Sequence, residues 1–197
     1  MTTPQHDTQN LKKKLRQQAR SMRQKLTEKQ LQEADLQLVQ QYKKYFSDQT
    51  FKTAGVYLQN DNELGTEHLI KLLFQSGCKL YLPVISDYSN NQMEFFHFEQ
   101  HSPMHNNRFG IPEPISNEKI SVKHLDIIFL PLTAFDLHGH RLGMGGGFYD
   151  RALADVSGEK PILVGLAYDF QELPNCPIES YDHSIQMIMT PNQVIHF

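Results

Sequence analysis

Only two cysteines, Cys78 and Cys176, occur in the 197 residues, and their spacing matches no metal-ligand or redox motif. That excludes a disulfide scaffold and thiol redox chemistry, and it suits reduced thiols in a reducing compartment. No apolar run approaches the roughly 20 residues that span a bilayer, and "MTTPQHDTQN" lacks the basic and apolar regions of a secretory signal. A cytoplasmic protein without a membrane partner is expected. Net charge is scarce as well: 22 acids against 19 basic residues leave −3, which gives no general affinity for nucleic acid. With 39% hydrophobic and 21% charged residues, the chain is neither disordered nor fibrous. Its length suits one well-cored domain over residues 1–197, and a monomer is expected.

The little charge there is lies unevenly. Lys12, Lys13, Lys14, Arg16, Arg20, Arg23 and Lys25 face a single acid, Asp7, within the first 25 residues. Either a solvated helix face or an anion site accounts for this run. Leu11, Leu15, Ala19, Met22 and Leu26 recur at spacings of three and four, which predicts an amphipathic helix over about 8–25 with its basic residues outward. Thr27 and Gln30 form a capping-box pair opening a second helix to about Phe46. "TAGVYL" (53–58), a helix over 66–77 capped by Thr66 and ended by Gly77, and "KLYLPV" (79–84) make a strand-helix-strand unit. "QMEFFHF" reads as a short strand, "FGIPEPIS" as an extended loop, "LDIIFLPL" (125–132) and "PILVGLA" (161–167) as buried strands, 148–156 as a helix and "QMIMT" (186–190) as a last strand. Such alternation implies a Rossmann-like, three-layer α/β/α fold with a mostly parallel, mixed sheet and ligands at the carboxyl ends of its strands.

"RLGMGGGFYDR" (141–151) concentrates the chemistry. Gly143, Gly145, Gly146 and Gly147 exceed what one tight turn needs, and at a helix entrance they can turn amides toward a phosphate. It is not a P-loop, because Phe148 follows the last glycine where Lys-Ser/Thr is required. It is not a dinucleotide fingerprint either, because "PLTAFDLHGHR" separates it from the preceding strand. Arg141 and Arg151 can contact phosphoryl oxygens, and Asp150 can hold Mg²⁺, although an acid in a first helical turn is also favoured by the macrodipole. Phe148 and Tyr149 can stack on a flat heterocycle or enter the core. Asp136, His138 and His140 alternate in one short loop without a fourth partner, a poor zinc site.

The pattern "AFDxxGxRLGxGGGFYDR" resembles the signature of the 5-formyltetrahydrofolate cyclo-ligases. "KKKLR", "YLQNDNELGT", "LP" at 82–83, "FGIPEP", "LPLTAFD" and "ESYDHSIQMIMT" extend the resemblance along most of the chain. It implies an enzyme that uses ATP and Mg²⁺ to convert 5-formyltetrahydrofolate into 5,10-methenyltetrahydrofolate with release of ADP and phosphate. It further implies ATP contacts from Lys12, Lys13, Lys14, Leu15 and Arg16 and from Arg141, Leu142, Gly143, Met144, Gly145, Gly146, Gly147, Phe148 and Tyr149. Arg141 and Arg151 are the implied catalytic cations. Folate contacts are implied at Leu58, Glu63 and the 144–148 stretch, and Mg²⁺ ligation at Asp150 and Asp182. The family commonly has Tyr where this chain has Phe148, which keeps a ring for stacking and loses a hydroxyl. The competing readings are a non-catalytic folate-binding protein of the same fold and, on glycines alone, a dinucleotide-dependent oxidoreductase.

Overall fold

The computed structural model describes residues 4–156, 161–179 and 182–197, with side chains from Thr8 onward. Among these residues there are four α-helices: α1 (Pro4–Arg23) and α2 (Glu28–Tyr45) precede the first strand, and α3 (Glu67–Gln75) and α4 (Phe148–Ala152) lie between strands. The strands are β1 (Thr53–Gly55), β2 (Lys79–Asp87), β3 (Gln92–Phe98), β4 (Met104–Asn106), β5 (Pro112–Pro114), β6 (Lys119–Ile120), β7 (Ile127–Pro131), β8 (Ala134–Phe135), β9 (Arg141–Leu142), β10 (Ile162–Leu166), β11 (Met187–Met189) and β12 (Val194–His196). Eight of them form one sheet in the order β12-β11-β10-β7-β1-β2-β3-β6, and β4-β5 and β8-β9 are separate hairpins. The five central strands β11, β10, β7, β1 and β2 are parallel, while β12, β3 and β6 add antiparallel edges. The expected mixed, mostly parallel α/β sheet is therefore present.

Period-two alternation divides the core. Ile127 and Phe129 of β7 pack with Leu38 and Tyr42 of α2 and Leu69 and Leu73 of α3, whereas Ile128 and Leu130 face the other side with Phe95, Leu153 and Ile188. Both faces of the central strands are covered, which is why they read as continuous apolar runs. β1 pairs with β2 on one side and β7 on the other, and the chain builds outward from that pair in both directions. The order reverses between β1 and β7, so the loops leaving their carboxyl ends diverge and open a crevice there.

Several expectations change. The helix over 8–25 exists, but its buried face is rotated from the expected one: Ala19 is buried and Leu15 half-buried as expected, whereas Leu11 and Met22 are 47% and 43% exposed and Lys12 and Arg23 are buried. Lys12 and Arg23 point inward because carboxylates from distant loops meet them, while Lys13, Lys14, Arg20 and Lys25 stay exposed. The 53–58 strand shrinks to Thr53–Gly55, since the chain beyond turns into the crevice. Thr66 precedes α3 without capping it; its hydroxyl donates instead to the Tyr57 carbonyl at 2.6 Å and ties down the crevice loop. The extended "FGIPEP" loop contains β5, and the 148–156 helix is one short turn, α4. β12 and the β8–β9 hairpin were not anticipated.

The Thr27–Gln30 capping box forms in full, with the Gln30 N–H donating to Thr27 Oγ1 and the Thr27 N–H to Gln30 Oε1. Thr27→Ala is expected to cost about 1 kcal/mol and to lower the melting temperature by roughly 2–4 °C. Thermal denaturation followed by circular dichroism checks this.

Candidate active site

The crevice between the β1 and β7 loops is a cavity of about 610 Å³, a size typical of small-molecule sites. Its walls come from Leu58 to Glu63 after β1, from Leu82 to Ile85 of β2, from Asn107 to Glu113 of the β4–β5 hairpin and from Arg141 to Asp150. Lys12, Arg16 and Arg20 of α1 complete it, with Glu179 and Asp182. α1 thus crosses the carboxyl end of the sheet as one wall of the site.

Positions 12, 16, 20 and 23 share one helical face, and the distance from Lys12 to Arg23 is about 16 Å along the axis. The four cations meet three loops. Lys12 Nζ reaches Glu179 at 2.8 Å and Asp182 at 2.7 Å; burial pulls its pKa down, but the two carboxylates outweigh that and leave it raised. Arg16 Nε donates to the Gly143 carbonyl at 2.8 Å. Arg20 Nε and Arg23 Nη2 both reach Asp61, at 2.7 and 2.8 Å. Burial would raise the Asp61 carboxyl, yet the two arginines hold it below its usual value.

The Asp61 loop is fixed from several directions. Asp61 and Asn62 are left-handed, with φ of 50° and 52°, a conformation that Asp and Asn tolerate better than most residues. Asn62 Nδ2 donates to the Arg23 carbonyl at 3.2 Å, and the Tyr57 hydroxyl to the Leu64 carbonyl at 2.7 Å. These ties place Glu63, 7% exposed, in the cavity wall, where its Oε2 accepts the Asn60 N–H at 3.2 Å. Burial pushes the Glu63 carboxyl up to about 7, against the pull of Arg23 and the Asn60 N–H.

In the glycine loop, Gly145 and Gly147 have φ of +102° and +67°, and a Cβ on Gly147 would lie 2.6 Å from Arg151 Nη1. Among the described residues no acceptor takes the amides of Gly143, Met144, Gly145, Gly146 or Gly147, so the loop presents a run of donors to the cavity. α4 is too short to add much dipole, so the amides themselves are what the loop offers to an anion. Arg141 Nη2 holds Asp150 Oδ1 at 2.7 Å and Nη1 donates to the His183 carbonyl, while the His183 N–H reaches the same Asp150 oxygen at 3.4 Å. Asp150 and Asp182 are thereby drawn to one end of the cavity.

Those two carboxylates with Glu179 supply oxygen donors only. Among the described residues no group of three His, Cys, Asp or Glu forms a metal cage, and Mg²⁺ suits such a site because it takes one or two carboxylates and completes its shell with water and phosphate. Asp136 is a structural hub: its carboxylate accepts the backbone N–H of His138, His140 and Cys176 at 2.9, 3.1 and 2.8 Å and closes the hairpin that carries Arg141.

Of the predicted residues, Lys12, Arg16, Leu58, Glu63, Arg141 to Asp150 and Asp182 line the cavity together. Lys13 and Lys14 are exposed outside it, Leu15 packs near Ala134 and Leu142, and the exposed Arg151 borders the loop by donating to the Gly146 carbonyl at 2.9 Å. Arg20, Arg23, Asp61, Glu113 and Glu179 were not singled out as site residues. The α1 pair could have been found from its spacing with Lys12 and Arg16.

Fold and cavity define a doubly wound α/β protein with a cavity lined by basic side chains and a glycine loop at its switch point. The chain belongs to the 5-formyltetrahydrofolate cyclo-ligase family, whose model matches residues 8–191. It is 36% identical to the 5-formyltetrahydrofolate cyclo-ligase of Haemophilus influenzae over 87% of this chain and 92% of that one. The Escherichia coli K12 relative of the same name is also 36% identical, over 89% and 97%. The solved 5,10-methenyltetrahydrofolate synthetase of Aquifex aeolicus superimposes with a TM-score of 0.82 at 27% identity, covering 94% of this chain and 92% of that one.

Glu63 makes stability depend on pH. Its carboxyl rises from 4.5 in the unfolded chain to about 7 when folded, so its contribution is fully present below pH 4.5 and is lost as pH rises through 7. Glu63→Gln, which cannot ionise, should therefore gain stability over the parent as pH rises, approaching roughly 3 kcal/mol by pH 8. Ligand-free melts from pH 5 to 8 test this; a gap independent of pH would contradict it.

Proposed function

We infer that this protein uses ATP and Mg²⁺ to cyclise 5-formyltetrahydrofolate to 5,10-methenyltetrahydrofolate, releasing ADP and phosphate. Family membership and the activity named in the relatives support the cyclisation. The observation that carries the ATP half is a run of unpartnered glycine-loop amides beside Arg16, Arg141 and Lys12 in the cavity that also holds Glu63.

The nucleotide phosphates lie on the amides of Gly143 to Gly147, flanked by Lys12, Arg16 and Arg141. The pterin lies toward Leu58 and Glu63, with Met144 to Phe148 between the two ligands. A carboxylate accepts from the pterin amino group and adjacent ring N–H. The formyl oxygen attacks the γ-phosphorus, an O–P bond forms as ADP leaves, and an imidate phosphate results. N10 then attacks the formyl carbon and loses its proton as the C–O bond breaks and phosphate departs. Little covalent work falls to the protein: positioning and charge neutralisation carry the rate. Arg141 faces the charge developing on the phosphoryl oxygens, while Arg151, outside the cavity wall, braces the loop through the Gly146 carbonyl. Asp150 and Asp182 would hold Mg²⁺, which when bound screens the phosphate charge. The two cysteines, Cys78 and Cys176, are buried and unpaired, which suits action in a reducing cytoplasm.

Absorbance of the methenyl product should appear only when 5-formyltetrahydrofolate, ATP and Mg²⁺ are all present, matched by ADP release. A thermal shift with folate but no ADP would leave a folate-binding protein instead. Asp150→Asn should lower kcat by roughly tenfold or more with little change in KM for folate. Unchanged turnover at saturating Mg²⁺ would remove Asp150 from that role.

A further inference from the structure

Arg23 is the most deeply buried cation among the described residues, with 0% exposure, and it is not in the cavity wall. Its Nη2 donates to Asp61 at 2.8 Å and lies 4.0 Å from Met144 Sδ, so it touches both the folate-side loop and the glycine loop. Among the described residues its Nε and Nη1 have no hydrogen-bond partner, and Nη1 stands 4.0 Å from Glu63 Oε1, near enough for Coulomb attraction and too far for a hydrogen bond. A fully buried guanidinium with two donors that meet no protein acceptor is costly, and packing alone would favour an apolar residue of similar volume.

We propose that Arg23 is a positioning residue for folate recognition, holding Glu63 ionised and oriented in the cavity wall so that the donor edge of the pterin meets a carboxylate. This rests on the reading of Glu63 as a folate contact. The chemistry is selective because the pterin amino group and ring N–H are both donors: a carboxylate accepts from both, whereas a protonated carboxyl turns one oxygen into a competing donor.

The groups facing Glu63 leave this task to Arg23. From its own loop come Asp61, which repels a second negative charge, and the Asn60 N–H, which favours it. Tyr57 after β1 and Tyr149 of α4 are neutral neighbours, and the Tyr168 hydroxyl after β10 donates to the Glu63 backbone carbonyl at 3.1 Å rather than to its carboxylate. α1 contributes Arg20 and Arg23. Both arginines are bonded to Asp61, but Arg20 is half exposed and water screens its field, whereas Arg23 is fully buried and is screened far less. Burial already lifts the Glu63 carboxyl to about 7, and losing the larger opposing charge would leave it neutral at physiological pH. Asp61 would keep Arg20 as a partner, so the loop would retain one tie.

The test measures KM for 5-formyltetrahydrofolate and for ATP between pH 6 and 9 in the parent, Arg23→Met, Arg23→Lys, Glu63→Gln and the double variant carrying Arg23→Met with Glu63→Gln. Parent KM for folate should rise as pH falls below about 7. Arg23→Met should raise that KM roughly tenfold or more at pH 7 and move the rise at least about one pH unit higher, leaving KM for ATP within about twofold. Arg23→Lys, which keeps a buried charge, should recover part of the loss, and it supplies the readout if the methionine variant does not fold. In the Glu63→Gln background, Arg23→Met should have little further effect on folate KM, the coupling expected when one residue acts through the other. An unshifted pH profile, equal losses for both substrates, or the same loss with and without Glu63 overturns the role of Arg23 alone. If Glu63→Gln leaves folate KM unchanged, the folate contact itself is wrong and the proposal falls with it.

Discussion

Everything at the site depends on turning a basic helix face inward. Lys12, Arg16, Arg20 and Arg23 lie along α1 at one angular position, and the two ends of that row, Lys12 and Arg23, are almost completely removed from water. Buried cations are tolerable only where carboxylates or carbonyls meet them, so each fixes a loop: Glu179 and Asp182 at one end, the Gly143 carbonyl in the middle, and Asp61 with Glu63 at the other. The helix acts as a ruler along the cavity. Because the loops converge on it, a shift in α1 would move the acidic end, the glycine loop and the Asp61–Glu63 wall together.

The sheet supplies the place where such a ruler is useful. Strand order reverses between β1 and β7, and the loops after these two strands carry Leu58 to Glu63 on one side and Arg141 to Asp150 on the other. The first wall is compact and fixed by hydrogen bonds to Tyr57, Thr66 and Tyr168. The second is largely open backbone, where Gly145 and Gly147 have positive φ and the close approach of Arg151 keeps a side chain off Gly147. One wall therefore suits a rigid heterocycle with donors along its edge, and the other suits phosphoryl oxygens. A reaction joining a formyl oxygen to a γ-phosphorus needs those two surfaces to face each other across a few ångströms.

Local features were the most legible in sequence. Buried strands such as "LDIIFLPL" announce themselves because both faces are covered, and the Thr27–Gln30 box forms as read because its partners are three residues apart. The glycine loop was legible because so many glycines in so short a span have few other uses. The inward face of α1 was not. Leu11, Leu15, Ala19 and Met22 form an apolar row offset by one position from the basic row, and periodicity cannot say which row is buried when the partners of the cations lie about 40 to 170 residues away. Thr66 misled for the same reason: a helix-capping residue by position, it spends its hydroxyl on Tyr57. Glu63 was legible only through the family resemblance; its burial in the crevice wall came from the fold.

Hydrogen exchange of the backbone amides, compared with and without a non-hydrolysable ATP analogue, Mg²⁺ and 5-formyltetrahydrofolate, tests the central claim most directly. The account predicts that the nucleotide with Mg²⁺ slows exchange at Gly143 to Gly147, that folate slows it around Asn60 to Glu63, and that α1 is protected by both. Protection by the nucleotide elsewhere on the molecule, with the glycine-loop amides exchanging as in the free protein, would contradict it.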